Sequence, residues 1–169
     1  MPKTIEMVVG LKVPDNTAIT ALQTLQKIGF AKIKNVKRED YYKFEIEGDE
    51  KQFKDKICKI DAIVNANKHA YAFSVMKDNT TKILVKSTKI EDFRDTKNPK
   101  DFLVNINDDG SGLVSVLKNR LGFKNIKKAE KAILWSLSIE ADAKEARKIA
   151  EKAARELLVN EHYQEFEIV

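Results

Sequence analysis

The clearest signal along the chain is alternation of apolar and polar residues. Tyr42, Phe44 and Ile46 are interleaved with Lys43, Glu45 and Glu47, and Trp135, Leu137 and Ile139 with Ser136, Ser138 and Glu140. A period of two places each apolar trio on one face of a strand, facing a core. The stretch Lys32–Glu47 reads either as one long bent strand or as two. Shorter alternating runs at Met7-Val9-Leu11, Tyr71-Phe73-Val75, Ile83-Val85 and Phe166-Ile168 predict four further strands. Between them, apolar stripes at spacing three or four predict helices. Ile19, Leu22, Leu25 and Ile28 follow the helix start Asn16-Thr17 and run to Gly29, where a helix stop belongs. Leu113, Val116, Leu117 and Leu121 run in the same way up to Gly122. A second pair of stripes is Phe53, Ile57, Ile60 and Val64, and Ala146, Ile149, Ala150, Ala153 and Leu157. The alanine-rich member permits a closer approach to its neighbour.

These elements repeat. Ile28-Gly29-Phe30-Ala31-Lys32-Ile33-Lys34 matches Leu121-Gly122-Phe123-Lys124-Asn125-Ile126-Lys127 at a spacing of 93 (122 − 29). Read without a gap, that spacing runs from Asp15/Asp108 to Val75/Ile168 and aligns Glu47/Glu140, Asp49/Asp142, Lys51/Lys144, Lys59/Lys152, Asn67/Asn160, His69/His162 and Phe73/Phe166. It predicts two tandem β-α-β-α-β units, residues 1–78 and 79–169, each laying two helices on one face of an antiparallel sheet. Each unit is too small for a large core of its own, so a shared sheet or face-to-face packing is expected. An extra charged segment at about 88–107, with Pro99, Phe93, Phe102 and Leu103, reads as an inserted loop in the second unit.

Charge and chemistry narrow the function more by exclusion than by selection. The net charge of +5 permits an acidic or phosphate-bearing partner, but lysines are mixed with Asp and Glu and form no basic arm. The single cysteine, Cys58, rules out an intrachain disulfide and reads as a small apolar residue of a helix. The start, Met-Pro-Lys-Thr, has no signal-peptide core, and no apolar run is long enough to span a bilayer, so the expected location is cytoplasmic. No nucleophile elbow, C-x-x-C, H-E-x-x-H, dinucleotide or phosphate-loop pattern is present, so no catalytic, metal-binding or cofactor-binding residue is expected. His69 and His162 are expected to be structural, satisfied by a carbonyl or carboxylate at the start of the last strand of each unit. Asp108-Asp109-Gly110-Ser111-Gly112 reads as a turn and helix cap rather than a calcium or phosphate loop.

The pattern resembles the PurS subunit family of phosphoribosylformylglycinamidine synthase. Met7-Val8-Val9-Gly10-Leu11-Lys12-Val13-Pro14 is similar to the family's V-x-V-x-L-K-P opening. Asp15-Asn16-Thr17 and Asp108-Asp109-Gly110 stand at its D-P-x-G, and Leu25-Gln26-Lys27-Ile28-Gly29-Phe30 at its L-x-x-L-G-Y/F. Leu157-Leu158-Val159-Asn160-Glu161 and Glu165-Phe166-Glu167-Ile168 look like its L-L-A-N-P and D-Y-E-V. The family's V-R-x-G-K is altered in both units, to Val36-Lys37-Arg38-Glu39-Asp40 and Ala129-Glu130-Lys131-Ala132-Ile133. The resemblance implies a non-catalytic accessory subunit of purine biosynthesis. Such a subunit bridges a glutaminase (PurQ-like) and an ATP-dependent synthetase (PurL-like) subunit and keeps ammonia from escaping between them. The fused pair would be a covalent form of the family's dimer, with further self-association left open. Lys37, Arg38, Lys43 and Lys131 are the candidate partner-interface residues.

A second reading is a nucleic-acid-binding face. Lys32, Lys34, Lys37, Arg38 and Lys43 lie beside Tyr41 and Tyr42, and Lys124, Lys127, Lys128 and Lys131 repeat the stretch. Against it stands the plainer expectation of a solvated strand edge kept from pairing by lysine. A small-ligand module built on the paired units is the third reading, with no feature that selects a ligand.

Overall fold

The computed structural model describes residues 1–87 and 111–169. The expected insertion at 88–107 and the Asp108-Asp109-Gly110 turn lie outside them. The elements in chain order are β1 (Lys3–Leu11), α1 (Asn16–Lys27), β2 (Ile33–Ile46), α2 (Glu50–Ile57), β3 (His69–Ala72), β4 (Thr81–Ser87), α3 (Ser111–Asn119), β5 (Ile126–Ile139), α4 (Ala143–Ala153), a π-helical turn (Ala154–Leu158) and β6 (Gln164–Ile168). The stretch after Lys32 is thus one long strand.

The six strands form one antiparallel sheet in the order β3-β1-β2-β5-β4-β6. The order reads alike from both ends when the halves are exchanged. β2 and β5 meet at the centre about a pseudo-twofold axis near the Asp40–Ile133 pair. Local detail obeys the axis. The register slips once at each end of the junction, leaving Lys34 and Lys127 as bulged residues. Each bulged lysine reaches the glutamate just beyond the end of the opposing strand, Lys34–Glu140 at 3.5 Å and Lys127–Glu47 at 3.1 Å. The amides of Glu47 and Glu140 donate in the same way to the carbonyls of Asn125 and Lys32.

Side chains alternate across this sheet as the sequence pattern requires. Tyr42, Phe44 and Ile46 are buried with α2 and α3, and Trp135 and Leu137 with α1 and α4, while Ile139 packs partly buried at the same core. Each core draws its strands and second helix mainly from one half and its first helix from the other. Leu117 and Phe123 of the second half complete the core of β1, β2 and α2. Ala18, Ala21 and Leu25 of α1 complete the core of β4, β5 and α4. Neither half therefore owns a whole core.

Three helix expectations need correction. In α1 the buried positions are Ala18, Ala21 and Leu25, while Ile19 and Ile28 are exposed. Nine residues at about 100° each put Ile19 and Ile28 on opposite sides of a helix, so an unbroken spacing of three drifts off the core. The second stripe outlasts its helix: α2 stops at Ile57, and Ile63 and Val64 are buried from the following turns. Val116 and Leu121 are exposed, leaving Leu117 as the buried residue of α3's stripe. The start of α1 at Asn16 and the stops at Gly29 and Gly122 were legible, while the aspartate caps were not singled out. Asp15 accepts from the amides of Thr17 and Ala18, Asp49 from Gln52 and Asp142 from Glu145. Gly29 and Gly122 take positive φ after α1 and α3.

The ungapped spacing of 93 also fails beyond the second helices. The amides of Asn67, Lys68 and His69 fold onto Asn65, and those of His162, Tyr163 and Gln164 fold identically onto Asn160, a spacing of 95 (160 − 65). Strand register agrees, because Leu11 faces His69 and Ser87 faces Gln164. The two extra residues in the second half fall between Ala150 and Asn160: α4 runs on and widens into the π-helical turn, where the first half tightens, with the Ile60 amide bonded to Ile57. The counterpart of His69 is Gln164, not His162. His69 Nδ1 accepts from the Asn65 amide at 3.0 Å and Gln164 Oε1 from the Asn160 amide at 2.9 Å, while His162 is exposed. The partner of His69 is an amide N–H and not the expected carbonyl or carboxylate. Cys58 is half-buried at the end of α2.

Candidate partner interface

The four candidate residues do not form one patch. Strand alternation sends Lys37 and Lys43 to the helix-free face of the sheet and Arg38 and Lys131 to the helix face. The basic stretches also lie on β2 and β5, the two central strands, so the expected solvated edge is not there. Arg38 and Lys131 are related by the pseudo-twofold. The Arg38 guanidinium sits 6.0 Å from the Trp135 ring centre and Lys131 Nζ 5.9 Å from that of Tyr42, each over its cross-strand neighbour. Asp40 lies between them in a small cleft of about 180 Å³. Arg38 also faces Asp15, the cap of α1, at 3.9 Å. The seats of these two cations, Tyr42 and Trp135, were missed by the sequence reading. The signal was present as an aromatic four residues after each cation, but only antiparallel register brings the pairs together.

On the helix-free face Val8, Tyr41, Leu84, Ala132 and Leu134 form a buried apolar strip. Residues 73–80 join β3 at one side of the sheet to β4 near the other and so cross this face as a strap, with Val75 packed on the strip. Clefts of about 200 and 550 Å³ flank the strap. Lys37 opens on the smaller one and pairs with Glu39 at 3.2 Å. Glu39 lies over Gly10, where a Cβ would stand 3.2 Å from its side chain. Lys43 opens on the larger cleft, opposite Glu6 on β1 and Glu130 on β5. Lys128, bonded to Glu130, holds that carboxyl below its usual range against the cost of burial, helped by Lys43 and Lys86. Tyr41 donates to Glu6 at 2.5 Å, and burial and that carboxylate raise its hydroxyl above the ordinary range.

The strap is anchored at its far end. Lys82 is buried and donates to Asp78 (3.1 Å), Thr80 (2.8 Å) and Ser136 (3.2 Å). Asp78 also accepts from the Thr80 amide and hydroxyl. These Thr80 bonds, with Lys82, lower its pKa to about 2. A lowered folded pKa adds stability that is present above the ordinary aspartate range and lost as pH falls through about 2. Asp78→Asn is expected to cost about 1 kcal/mol at pH 7, discounted because Asp78 is half-exposed. Thermal melts should show a Tm lower by about 2–4 °C at pH 7, and a gap that closes toward pH 2. A gap unchanged by acid would disprove the anchor.

Among the described residues no group of three or more His, Cys, Asp or Glu is placed to hold a metal ion, and no helix is long and apolar enough to cross a membrane. No protein-family model matches the chain, and no curated protein matches it.

Proposed function

We propose that the chain is a tandem PurS-like, non-catalytic accessory subunit of phosphoribosylformylglycinamidine synthase. On this reading residues 1–78 and 79–169 are the two units, and the protein bridges a glutaminase and a synthetase subunit for ammonia transfer. The observation that carries it is the pseudo-twofold junction of β2 and β5, with matching bulges, ion pairs and cation seats. Two copies of one unit joined as a covalent dimer account for all of these at once. The sequence likeness in the first strand and first helix is what supports this family. A bridging role needs surface rather than a nucleophile, and of the four candidates Lys37 and Lys43 are the two that lie on the helix-free face. Arg38 and Lys131 act instead in holding the junction together. The nucleic-acid reading draws less support, because the cations of β2 and β5 are divided between faces, with Arg38 and Lys131 on the helix face, and several lysines pair with glutamate, such as Lys34–Glu140, Lys37–Glu39 and Lys128–Glu130.

The test is glutamine-dependent amidine formation by the glutaminase and synthetase subunits with and without this chain. Restored turnover, reduced by Lys37→Glu with Lys43→Glu while the melting temperature holds, is the expected result. No gain in turnover and no co-elution with either subunit would overturn the proposal.

A further inference from the structure

The two outer strands occupy equivalent places in the sheet but differ in chemistry. Register equates His69, Ala70, Tyr71 and Ala72 of β3 with Gln164, Glu165, Phe166 and Glu167 of β6. Glu165 and Glu167 are exposed, and Arg155 lies over the Phe166 ring at 5.3 Å. Charged side chains of this kind keep an open edge from pairing with another chain. At the same two positions β3 carries Ala70 and Ala72, and the strand has no Asp, Glu, Lys or Arg. Around it Leu11 is 43% exposed, Val13 62%, Tyr71 46% and Met76 65%, interspersed with the exposed Lys12, Lys68 and Lys77. One edge is thus guarded and the other is not, within a fold that otherwise treats its halves alike.

We propose that the β3 edge is a self-association surface, on which β3 of a second copy pairs antiparallel across a true twofold axis. A twofold contact must be self-complementary. An uncharged strand meets that demand, because pairing β3 with β3 about a twofold sets His69, Ala70, Tyr71 and Ala72 of one copy against the same residues of the other with no like-charge repulsion between them. The central junction shows the same mode of joining, strand to antiparallel strand about a twofold, inside one chain. The glutamates of β6 close the assembly at two copies, since the second edge of each sheet rejects further strands. The paired segment is short, so the dimer is weak and concentration-dependent. This inference stands apart from the synthase role and survives its failure.

The experiment is sedimentation equilibrium of the whole chain from about 1 to about 200 µM, a range that brackets a micromolar dimer. It is paired with hydrogen exchange at both ends of that range. A reversible dimer is expected, with slowed exchange at residues 69–72 only at the high concentration. Ala70→Glu with Ala72→Glu, which copies β6 onto β3, should raise the dissociation constant at least about tenfold. Glu165→Ala with Glu167→Ala should add species larger than a dimer. A monomer throughout, or a dimer that leaves exchange at 69–72 unchanged, overturns the proposal. The exchange result is read on the unaltered protein and stands even if the β3 variant folds poorly.

Discussion

Phe53→Ala is expected to lower stability by about 3–5 kcal/mol. Phe53 is buried at the middle of a chain of rings that crosses between the halves. Tyr42 stacks on Phe44 at 5.9 Å, Phe44 meets Phe53 edge-on at 5.3 Å, and Phe53 meets Phe123 edge-on at 5.6 Å. Phe53 comes from α2 of the first half and Phe123 from the turn after α3 of the second. Truncation removes apolar burial, leaves a void under a helix that cannot collapse without dragging the sheet, and uncouples α3 from its core. Urea unfolding followed by circular dichroism and by Trp135 fluorescence should show one transition shifted to lower denaturant on both probes. Trp135 belongs to the other core, so a shift in circular dichroism alone would mean that the halves unfold separately and that the crossed helices do not couple them.

The second prediction concerns the other core and has the opposite sense. Ala150→Leu is expected to cost about 1–3 kcal/mol by overpacking, with a Tm lower by roughly 2–12 °C. Ala150, Ala153 and Ala154 are fully buried beside Ala18, Ala21 and Leu25 of α1. The position equivalent to Ala150 in the first half is Ile57, also fully buried. The difference in bulk is matched across the sheet, where Trp135 stands at the place of Tyr42. A larger side chain at 150 therefore enters the fully buried alanine seam that α4 makes with α1 and the sheet. Thermal melts check the direction. An unchanged or raised Tm would mean that α4 is held off the sheet with space to spare.

Much of this architecture was readable from the chain. Period two along Tyr42–Ile46 and Trp135–Ile139 predicted which side of each strand is covered, because a strand has only two faces and only one of them meets the helices. Asn16-Thr17 marked the start of α1, and Gly29 and Gly122 the ends of α1 and α3, since helix starts and positive φ are local demands. Less was readable where the answer depended on pairing. Apolar residues at a strict spacing of three could not say which of Ile19, Leu22, Leu25 and Ile28 would be buried, because each lies 60° or so further round the helix than the last. Aligning the histidines at one spacing hid the two extra residues after Ala150, since a helix can widen at one end, or tighten in the other half, without losing its hydrogen bonds. Grouping Lys37, Arg38, Lys43 and Lys131 as one surface ignored the alternation that splits them between two faces.

The sequence by itself determined the local elements, their order in both halves and the apolar side of each strand, because these follow from backbone conformation and from which side chains leave water. Only the tertiary structure decided that β2 pairs with β5, so that the lysine-rich strands lie at the centre of one shared sheet. It alone decided that each first helix packs in the other half's core, that residues 73–80 strap the helix-free face, and that β3 and β6 become unlike edges. Those outcomes depend on contacts between residues far apart in the chain. Their energies come from shape, register and charge across the fold, and no window along the sequence contains both partners.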